Sequence, residues 1–461
     1  MRAERRSSLQ LRDAFAAELA AKLPAEIDKV TWPLERLWAL RDERLRALIR
    51  HAKAYSPWHA DRLAQVDPDT LDGEDLSAIP TMTKADLMAN WDDIVTDRSV
   101  TLEMATDHLA RIATEGHGFL RDKYLVLATG GTSGFPAIFA INTDWAMTAA
   151  LTMARYRAWR RMHAPQTTSA AQVEAHVTAD NPVHGTAVFA WLLAREGYST
   201  RVFPPSMPLH RMVDGLNELQ PTSLYAYPSM LGLLAAEARA GRLPITLEAV
   251  GTTAEPLLPE TRAAAEDVFG VTVANTYGAT EGMLAVSNPP LPGLHIVEDI
   301  AVWEPVDRNN QPVSPGTLSA KVLITAVGTL VVPIIRYEVT DEVMFLDEPN
   351  PGPWTGRRIA DIQGRLEDTF TYPGGVRVHP HVIRSVLLQT EPILEYQVRQ
   401  TTSGIAVDIR ADGPVNVTSL EASLTTALQA VGLTGATTTV RQVEHIARHA
   451  ESGKLKRFLP L

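Results

Sequence analysis

Apolar and polar positions along the chain follow two different rhythms. Residues 1–65 are mostly helical in pattern, opening on MRAERRSSLQLRDAFAAELAAKL, which reads as an amphipathic helix, and closing near His51-Ala-Lys-Ala-Tyr-Ser-Pro57. Ile79-Pro-Thr-Met-Thr-Lys-Ala-Asp86 predicts a turn that enters another helix, with Thr83 as its N-cap. In YLVLATGGTSGFPAIFAIN (residues 124–142) two apolar runs flank a loop rich in glycine and hydroxyl groups, which predicts a hairpin. Asn142 or Thr143 then caps a helix running to about Met162, whose Arg155, Arg157, Arg160 and Arg161 read as a solvated face.

From about residue 170 to 280 the pattern alternates. AVFAWLLAREG precedes STRVF, HRMVDGLNELQ precedes SLYAY, SMLGLLAAEARAG precedes LEAVGTT, and ETRAAAEDVFG precedes VTVANTYG. Four helix-then-strand alternations with short turns predict a parallel sheet flanked by helices. Ligands of such open sheets sit outside the carboxyl ends of the strands. Three of those ends carry unusual sequences: Tyr225-Ala-Tyr-Pro-Ser229, Gly251-Thr-Thr-Ala-Glu-Pro256 and Asn275-Thr-Tyr-Gly-Ala-Thr-Glu281. Beyond 290 the chain turns Pro/Gly-rich and strand-like, at Leu318 to Thr325 and Gly328 to Tyr337, before a loop from Glu348 to Trp354. A last unit has a helix over 381–388, strands over 395–400 and 404–410, and a helix over 420–431. The fold class is therefore α/β. A large N-terminal domain, residues 1–363, carries flanked mixed and parallel sheets and a small β-rich subdomain; a small α+β domain follows at 364–461.

Composition narrows the function. At 461 residues the chain is long for one core. Its 43 basic and 54 acidic residues leave a net charge of −11, which argues against a general nucleic-acid binder. It contains no cysteine, so disulfides, thiolate nucleophiles and cysteine-held metals are excluded, in keeping with a reducing compartment. No stretch approaches a membrane span, and the acidic residues Glu4, Asp13 and Glu18 argue against a transit sequence. A soluble, cytoplasmic protein is expected. The loop Thr129-Gly130-Gly131-Thr132-Ser133-Gly134 offers N–H and hydroxyl donors, but no lysine follows it and a strand, not a helix, comes next. A P-loop phosphotransferase is therefore disfavoured. No G-x-S-x-G elbow supports a serine hydrolase.

Set in order, the special segments are TGGTSG (129–134), TTAEP (252–256), YGATE (277–281), RYEVTD (336–341), GRLED (364–368) and SGK (452–454). Their order resembles the adenylate-forming superfamily of acid–CoA ligases, adenylation domains and luciferases. AYSPWHADRL (54–63) and IPTMTKADL (79–87) are similar to its phenylacetate–CoA ligase-like branch. The resemblance implies that ATP and a carboxylic acid react in line at the α-phosphorus, where positioning and electrostatic stabilisation dominate. It implies that the Gly-loop, Thr129 to Gly134, holds phosphates, and that Ala254, Glu255 and Pro256 wall an adenine slot opposite Tyr277 and Gly278. Thr280 would meet the α-phosphate and Glu281 would carry Mg²⁺. Asp341 and Arg365 would take the ribose, and Lys454 would neutralise charge at the reacting centre. By family position, His184, Tyr227, Pro228, Ser229 and Gly278 line the acid pocket. The small domain would swing about Glu367-Asp368, so that Lys454 serves the first half-reaction alone. Taken singly, ESGKLKRF near the terminus reads as solvated charge.

The sequence departs from the family in three places. Tyr337-Glu338-Val339-Thr340-Asp341 stands where relatives often have Tyr-Arg-Thr-Gly-Asp, the Gly-loop lacks lysine, and the segment from Arg365 to Pro380 is one residue longer than usual and includes Pro373-Gly374-Gly375. In relatives that last segment lines the pantetheine tunnel. The expected activity is ATP-dependent activation of a carboxylic acid, in this branch aromatic, with transfer to CoA. Transfer to an amine, or a binding protein that has lost catalysis, are the alternatives. A homodimer is the branch's common assembly.

Overall fold

The computed structural model describes residues 7–129, 136–163, 173–193, 199–348, 350–362, 368–390, 392–449 and 452–461. Helix α1 (Ser8–Ile27) starts at a capping box made by Ser7 and Gln10 and buries Phe15 and Leu19. Helices α2 (Leu34–Tyr55) and α3 (Pro57–Arg62) follow. Thr83 caps α4 (Lys84–Ala89) in a reciprocal pair with Asp86, ahead of α5 (Trp91–Ile94) and α6 (Leu102–Glu115). Strands β1 (Tyr124–Ala128) and β2 (Ile138–Asn142) form the antiparallel hairpin, with Ala128 opposite Ile138. Asn142 accepts the Trp145 N–H at 2.9 Å and so caps α7 (Thr143–His163).

The alternating region builds β3 (Val173–Val177), α8 (Gly185–Leu192), β4 (Ser199–Val202), α9 (Leu209–Leu219), β5 (Ser223–Ala226), α10 (Pro228–Arg239), β6 (Ala249–Thr253), α11 (Pro259–Phe269) and β7 (Val273–Gly278). Strands β8 (Leu284–Ser287) and β9 (Leu294–Ile296) come next. Then β10 (Ala301–Val306), β11 (Lys321–Ala326) and β12 (Ile334–Val339) make a separate antiparallel sheet, and β13 (Arg358–Ile359) returns to β9. The main sheet has the order β13-β9-β8-β7-β6-β5-β3-β4, parallel from β4 to β7 and antiparallel beyond. The alternation in sequence did not predict β3, which sits inside this sheet. Its sequence, VEAHV, places Glu174 and His176 within the strand, where Glu174 pairs with Arg157 and lies 3.4 Å from His176. A polar pair stabilised by a distant arginine hides the strand from any hydrophobic pattern.

The C-terminal unit holds the short hairpin β14 (Phe370–Thr371) and β15 (Arg377–Val378), with Pro373-Gly374-Gly375 as its turn. Helix α12 (Pro380–Leu387), strands β16 (Ile393–Thr401) and β17 (Gly404–Ala411), helix α13 (Val417–Ala430), β18 (Thr437–Gln442) and β19 (Phe458–Leu459) complete it. Their sheet runs β18-β17-β16-β19. Residues between Phe370 and Phe458 bury an apolar cluster of their own, separate from those of the large unit. Phe458 lies in that cluster and β19 pairs parallel with β16, so the basic end of the chain is tied into a sheet rather than frayed.

Arg157 and Arg161 of α7 are exposed as expected, while Arg155 and Arg160 correct the expectation of a solvated face. Arg155 is fully buried and grips Asp299 with two bonds, at 2.6 and 3.0 Å, while Arg160 lies 5.7 Å from the Trp354 ring. The counter-charge comes from a loop after β9, which helical periodicity cannot reveal. Burial pushes the Asp299 carboxyl up, and the Arg155 guanidinium outweighs it, bringing it down to about 2. A carboxyl held below its ordinary value of 3.8 stabilises the fold fully above that pH. The contribution is lost as pH falls from about 4 towards 2. Removing one partner leaves a buried charge uncompensated, at a cost of about 3–5 kcal/mol. Asp299→Ala is therefore expected to lower the urea midpoint strongly at pH 7, with a much smaller difference from the parent near pH 2.5; equal deficits at both pH values would contradict this account.

Candidate active site

Parallel pairing sets Ala226 of β5 beside Thr252 of β6, and Thr253 of β6 beside Thr276 of β7. The segments leaving these three strands therefore emerge side by side. Tyr227, Pro228 and Ser229 lead into α10, Ala254-Glu255-Pro256 turns after β6, and Gly278 to Glu281 turns after β7. Ala254 has φ of 69°, a left-handed conformation uncommon for a residue with a side chain. It swings Glu255 over the neighbouring α10. The turn after β7 closes through Gly282 N–H to Ala279 C=O at 3.0 Å. Gly282 has φ of 103°, and a Cβ there would fall 2.5 Å from Ala326, so only glycine lets Thr280 and Glu281 sit on this turn.

Tyr277 joins the main sheet to the β10-β11-β12 sheet. Its hydroxyl donates to Asp341 at 2.5 Å, and its ring meets Trp303 edge-on with centroids 6.0 Å apart. Asp341, just past β12, is 4% exposed. Tyr337 on the same strand is buried, and its phenol is pushed up first by burial and then by the negative charge of Glu281. Glu281 thus acts on the strand that delivers Asp341. Phe139 of the hairpin approaches Tyr337 edge-on, with centroids 6.5 Å apart. At the hairpin's tip, Ala137 N–H donates to the Thr129 hydroxyl and Thr129 N–H to the Ala137 carbonyl, both at 2.9 Å. Thr129 therefore closes the stem of the Gly-loop. Gly130, Gly131, Thr132, Ser133 and Gly134 lie outside the described residues, as do Arg365 and Glu367.

His184 stands at the cap position of α8, with Nδ1 3.3 Å from the Ala128 carbonyl at the root of that loop. Tyr227 is buried, and its hydroxyl accepts the Ala179 N–H at 3.1 Å; burial raises its phenol to about 12. Pro228 occupies the first position of α10. Ser229 uses its N–H on Glu255, at 3.0 Å, and its hydroxyl on Arg448 of the C-terminal unit, at 2.7 Å. Lys454 is delivered nearby, because Leu455 N–H donates to Glu255 at 2.7 Å. The structure thus brings Tyr277, Glu281 and Asp341 into one group, and Glu255, Ser229 and the Lys454 loop into another on adjacent strand ends.

Arg448 and its buried partner Glu395 carry no signal in the sequence. Each reads as a surface charge until β16 is seen against α10. Among the described residues no cluster of three or more His, Asp or Glu could hold a metal ion. The single carboxylate of Glu281 nonetheless suits magnesium, which takes one or two protein carboxylates and completes its shell with phosphates and water. Among the described residues no helix is long and apolar enough to cross a membrane.

Comparison with known proteins agrees with this layout. The family model described as AMP-binding enzyme matches residues 33–320. The phenylacetate-coenzyme A ligase of Thermus thermophilus is 27% identical over 381 residues, covering 80% of this chain and 79% of that protein. Among solved structures, 2-hydroxyisobutyryl-CoA ligase in its postadenylation state, bound to R3-HIB-AMP, superposes with a TM-score of 0.68 at 19% identity, over 94% of this chain and 91% of that one. The same ligase in its thioesterification state, bound to 2-HIB-AMP and CoA, gives 0.55 at 20% identity over the same shares. The chain belongs to the AMP-binding enzyme family and is an adenylate-forming, ATP-dependent acid ligase.

Proposed function

We propose that this enzyme activates an aromatic carboxylic acid as its acyl-adenylate and passes the acyl group to CoA. A carboxylate oxygen attacks the α-phosphorus of ATP, and the bond to pyrophosphate breaks. The CoA sulfur then attacks the acyl carbon, AMP leaves, and the thiol proton is released. The observation that carries the reading is the Leu455 N–H on Glu255, which seats the Lys454 loop at the strand ends beside the Tyr277–Asp341 pair.

In this reading each residue has a physical task. The Tyr277 ring would offer adenine a stacking face while its hydroxyl orients Asp341, whose carboxylate would accept from the ribose hydroxyls. Arg365 would reach the same sugar. The Gly-loop, Thr129 to Gly134, would wrap the β- and γ-phosphates with N–H and hydroxyl donors, without the help of a lysine. The Thr280 hydroxyl would meet the α-phosphate. Glu281 would hold magnesium, which when bound neutralises charge on the phosphates. The Lys454 ammonium would stabilise the charge that gathers on the α-phosphoryl oxygens and the attacking carboxylate.

Residues 1–363 would bind acid and nucleotide, and residues 364–461 would carry the lysine as a mobile unit turning near Glu367-Asp368. Such a swing couples the two half-reactions to domain closure. His184, at the root of the Gly-loop, and the Tyr227 wall favour a flat acid, and a phenylacetate-activating relative supports that class. CoA as acceptor is supported by the named activities of the relatives. An amine acceptor is separated from it by offering purified enzyme preformed acyl-AMP with either nucleophile and identifying the product.

Two substitutions test the site. Lys454→Ala is expected to lower acid-dependent pyrophosphate–ATP exchange at least 100-fold, roughly 2.7 kcal/mol of transition-state stabilisation, while ATP still binds. Normal exchange by that variant would refute the lysine's role. Asp341→Ala is expected to raise the KM for ATP about tenfold or more, near 1.4 kcal/mol, with the KM for the acid little changed. Equal losses for both substrates would point to general damage instead. A panel of aryl and alkyl carboxylates screened by pyrophosphate release then assigns the acid.

A further inference from the structure

Glu255 and Ser229 were both expected to line ligand pockets, yet their polar atoms are spent on protein. One Glu255 oxygen accepts the Leu455 N–H at 2.7 Å, and the other accepts the Ser229 N–H at 3.0 Å. The Ser229 hydroxyl accepts from Arg448 at 2.7 Å, and the other terminal nitrogen of Arg448 bonds Glu395. Glu395 is buried in the C-terminal unit and is also approached by Arg410 at 3.4 Å. Arg448 and Leu455 therefore anchor the two ends of one short segment, and Lys454 sits between the anchors.

Backbone bonds also tie its described residues together. His449 N–H donates to the Lys454 carbonyl at 2.9 Å, and Gly453 N–H donates to the His449 carbonyl at 2.8 Å. Gly453 has φ of 64°, and a Cβ there would lie 3.0 Å from the ring of Pro205 in the large unit. Gly453 therefore sits against Pro205 while Arg448 and Leu455 hold on to the large unit on either side of Lys454. Among the described residues, longer ion pairs also cross between the units, Arg384 to Glu260 at 3.3 Å and His379 to Glu342 at 3.4 Å.

We propose that Glu255, Ser229 and Arg448 form an interdomain clamp. They are positioning residues that hold the small unit in the orientation used for adenylation, and the clamp must open before the acyl group can move to its acceptor. This rests on the reading of Lys454 given above. The clamp's acceptors stand at the ends of β5 and β6, the strand ends where the nucleotide is proposed to bind, so closure and substrate binding share one surface. Two of its bonds cross between the units, Leu455 N–H to the Glu255 carboxylate and Arg448 to the Ser229 hydroxyl, which makes the contact directional and still reversible.

The test uses the full chain carrying Ser229→Ala, Glu255→Gln, both together, or Arg448→Lys. Because the chain has no cysteine, Ala263→Cys and Ala422→Cys, exposed positions on α11 and α13, supply a unique spin-label pair across the two units. The double variant is expected to broaden the label distance distribution and to lower exchange kcat at least tenfold. Its KM for ATP and its rate of thioester formation from supplied acyl-AMP should stay within twofold, and Arg448→Lys should retain part of the exchange rate. An unchanged distance distribution overturns the clamp, as does a matching fall in both half-reactions. An ATP KM raised tenfold at constant distances would make Glu255 an adenine contact and also overturn it. Lys454→Ala serves as the control. If that variant exchanges normally the lysine reading fails, and the clamp is judged by the distances alone.

Discussion

Parallel pairing of β5, β6 and β7 is the constraint from which the site follows. Strands that run the same way must release their turns at the same edge, and in this chain those turns carry Tyr227 to Ser229, Ala254 to Pro256 and Gly278 to Glu281. The antiparallel strands beyond β7 then let the chain fold back into a second sheet, whose last strand presents Asp341 to Tyr277. The site is thus a seam between two sheets, and its polar groups come from connections while the strands beneath them stay buried. Such an arrangement lets loops be specialised for chemistry without disturbing the apolar layers that hold them.

Around that seam the large unit is braced by charge as well as by packing. Arg155 of α7 and Asp299 after β9 form a buried, two-bond pair. Arg336, next to Tyr337 in β12, sits in a left-handed conformation, with φ of 47°, and bonds Glu304 of β10 at 2.9 and 3.1 Å. Buried pairs of this kind are weak evidence for stability as such. Their geometry instead fixes which turn of α7 faces the sheet and how β12 enters the seam.

Much of this was legible from residue order. The alternation of helix and strand between 170 and 280, the hairpin around the Gly-loop, the Thr83 cap and the small C-terminal unit all express local periodicity or capping, which a linear pattern records directly. The features that escaped depend on partners far away in the chain. β3 hides because its two inner polar groups are satisfied by each other and by Arg157. Arg155 and Arg160 of α7 look solvated until Asp299 and Trp354 arrive. The basic tail looks free until β19 joins β16. For the candidate site, motif order singled out segments that the fold places on adjacent strand ends, but it could not tell a ligand contact from a contact between units. Ser229 and Glu255 have the same letters in either role, and only the position of Arg448 and Leu455 separates the two.

The bond from Tyr277 to Asp341 has a consequence for selectivity. In the proposed site the aromatic plate under the base and the acid facing the sugar are two ends of one lever, fastened by a single hydroxyl. A base that tilts the plate would drag the acid with it. Discrimination among nucleobases and between ribose and deoxyribose would therefore rise and fall together, as one mechanical property rather than two.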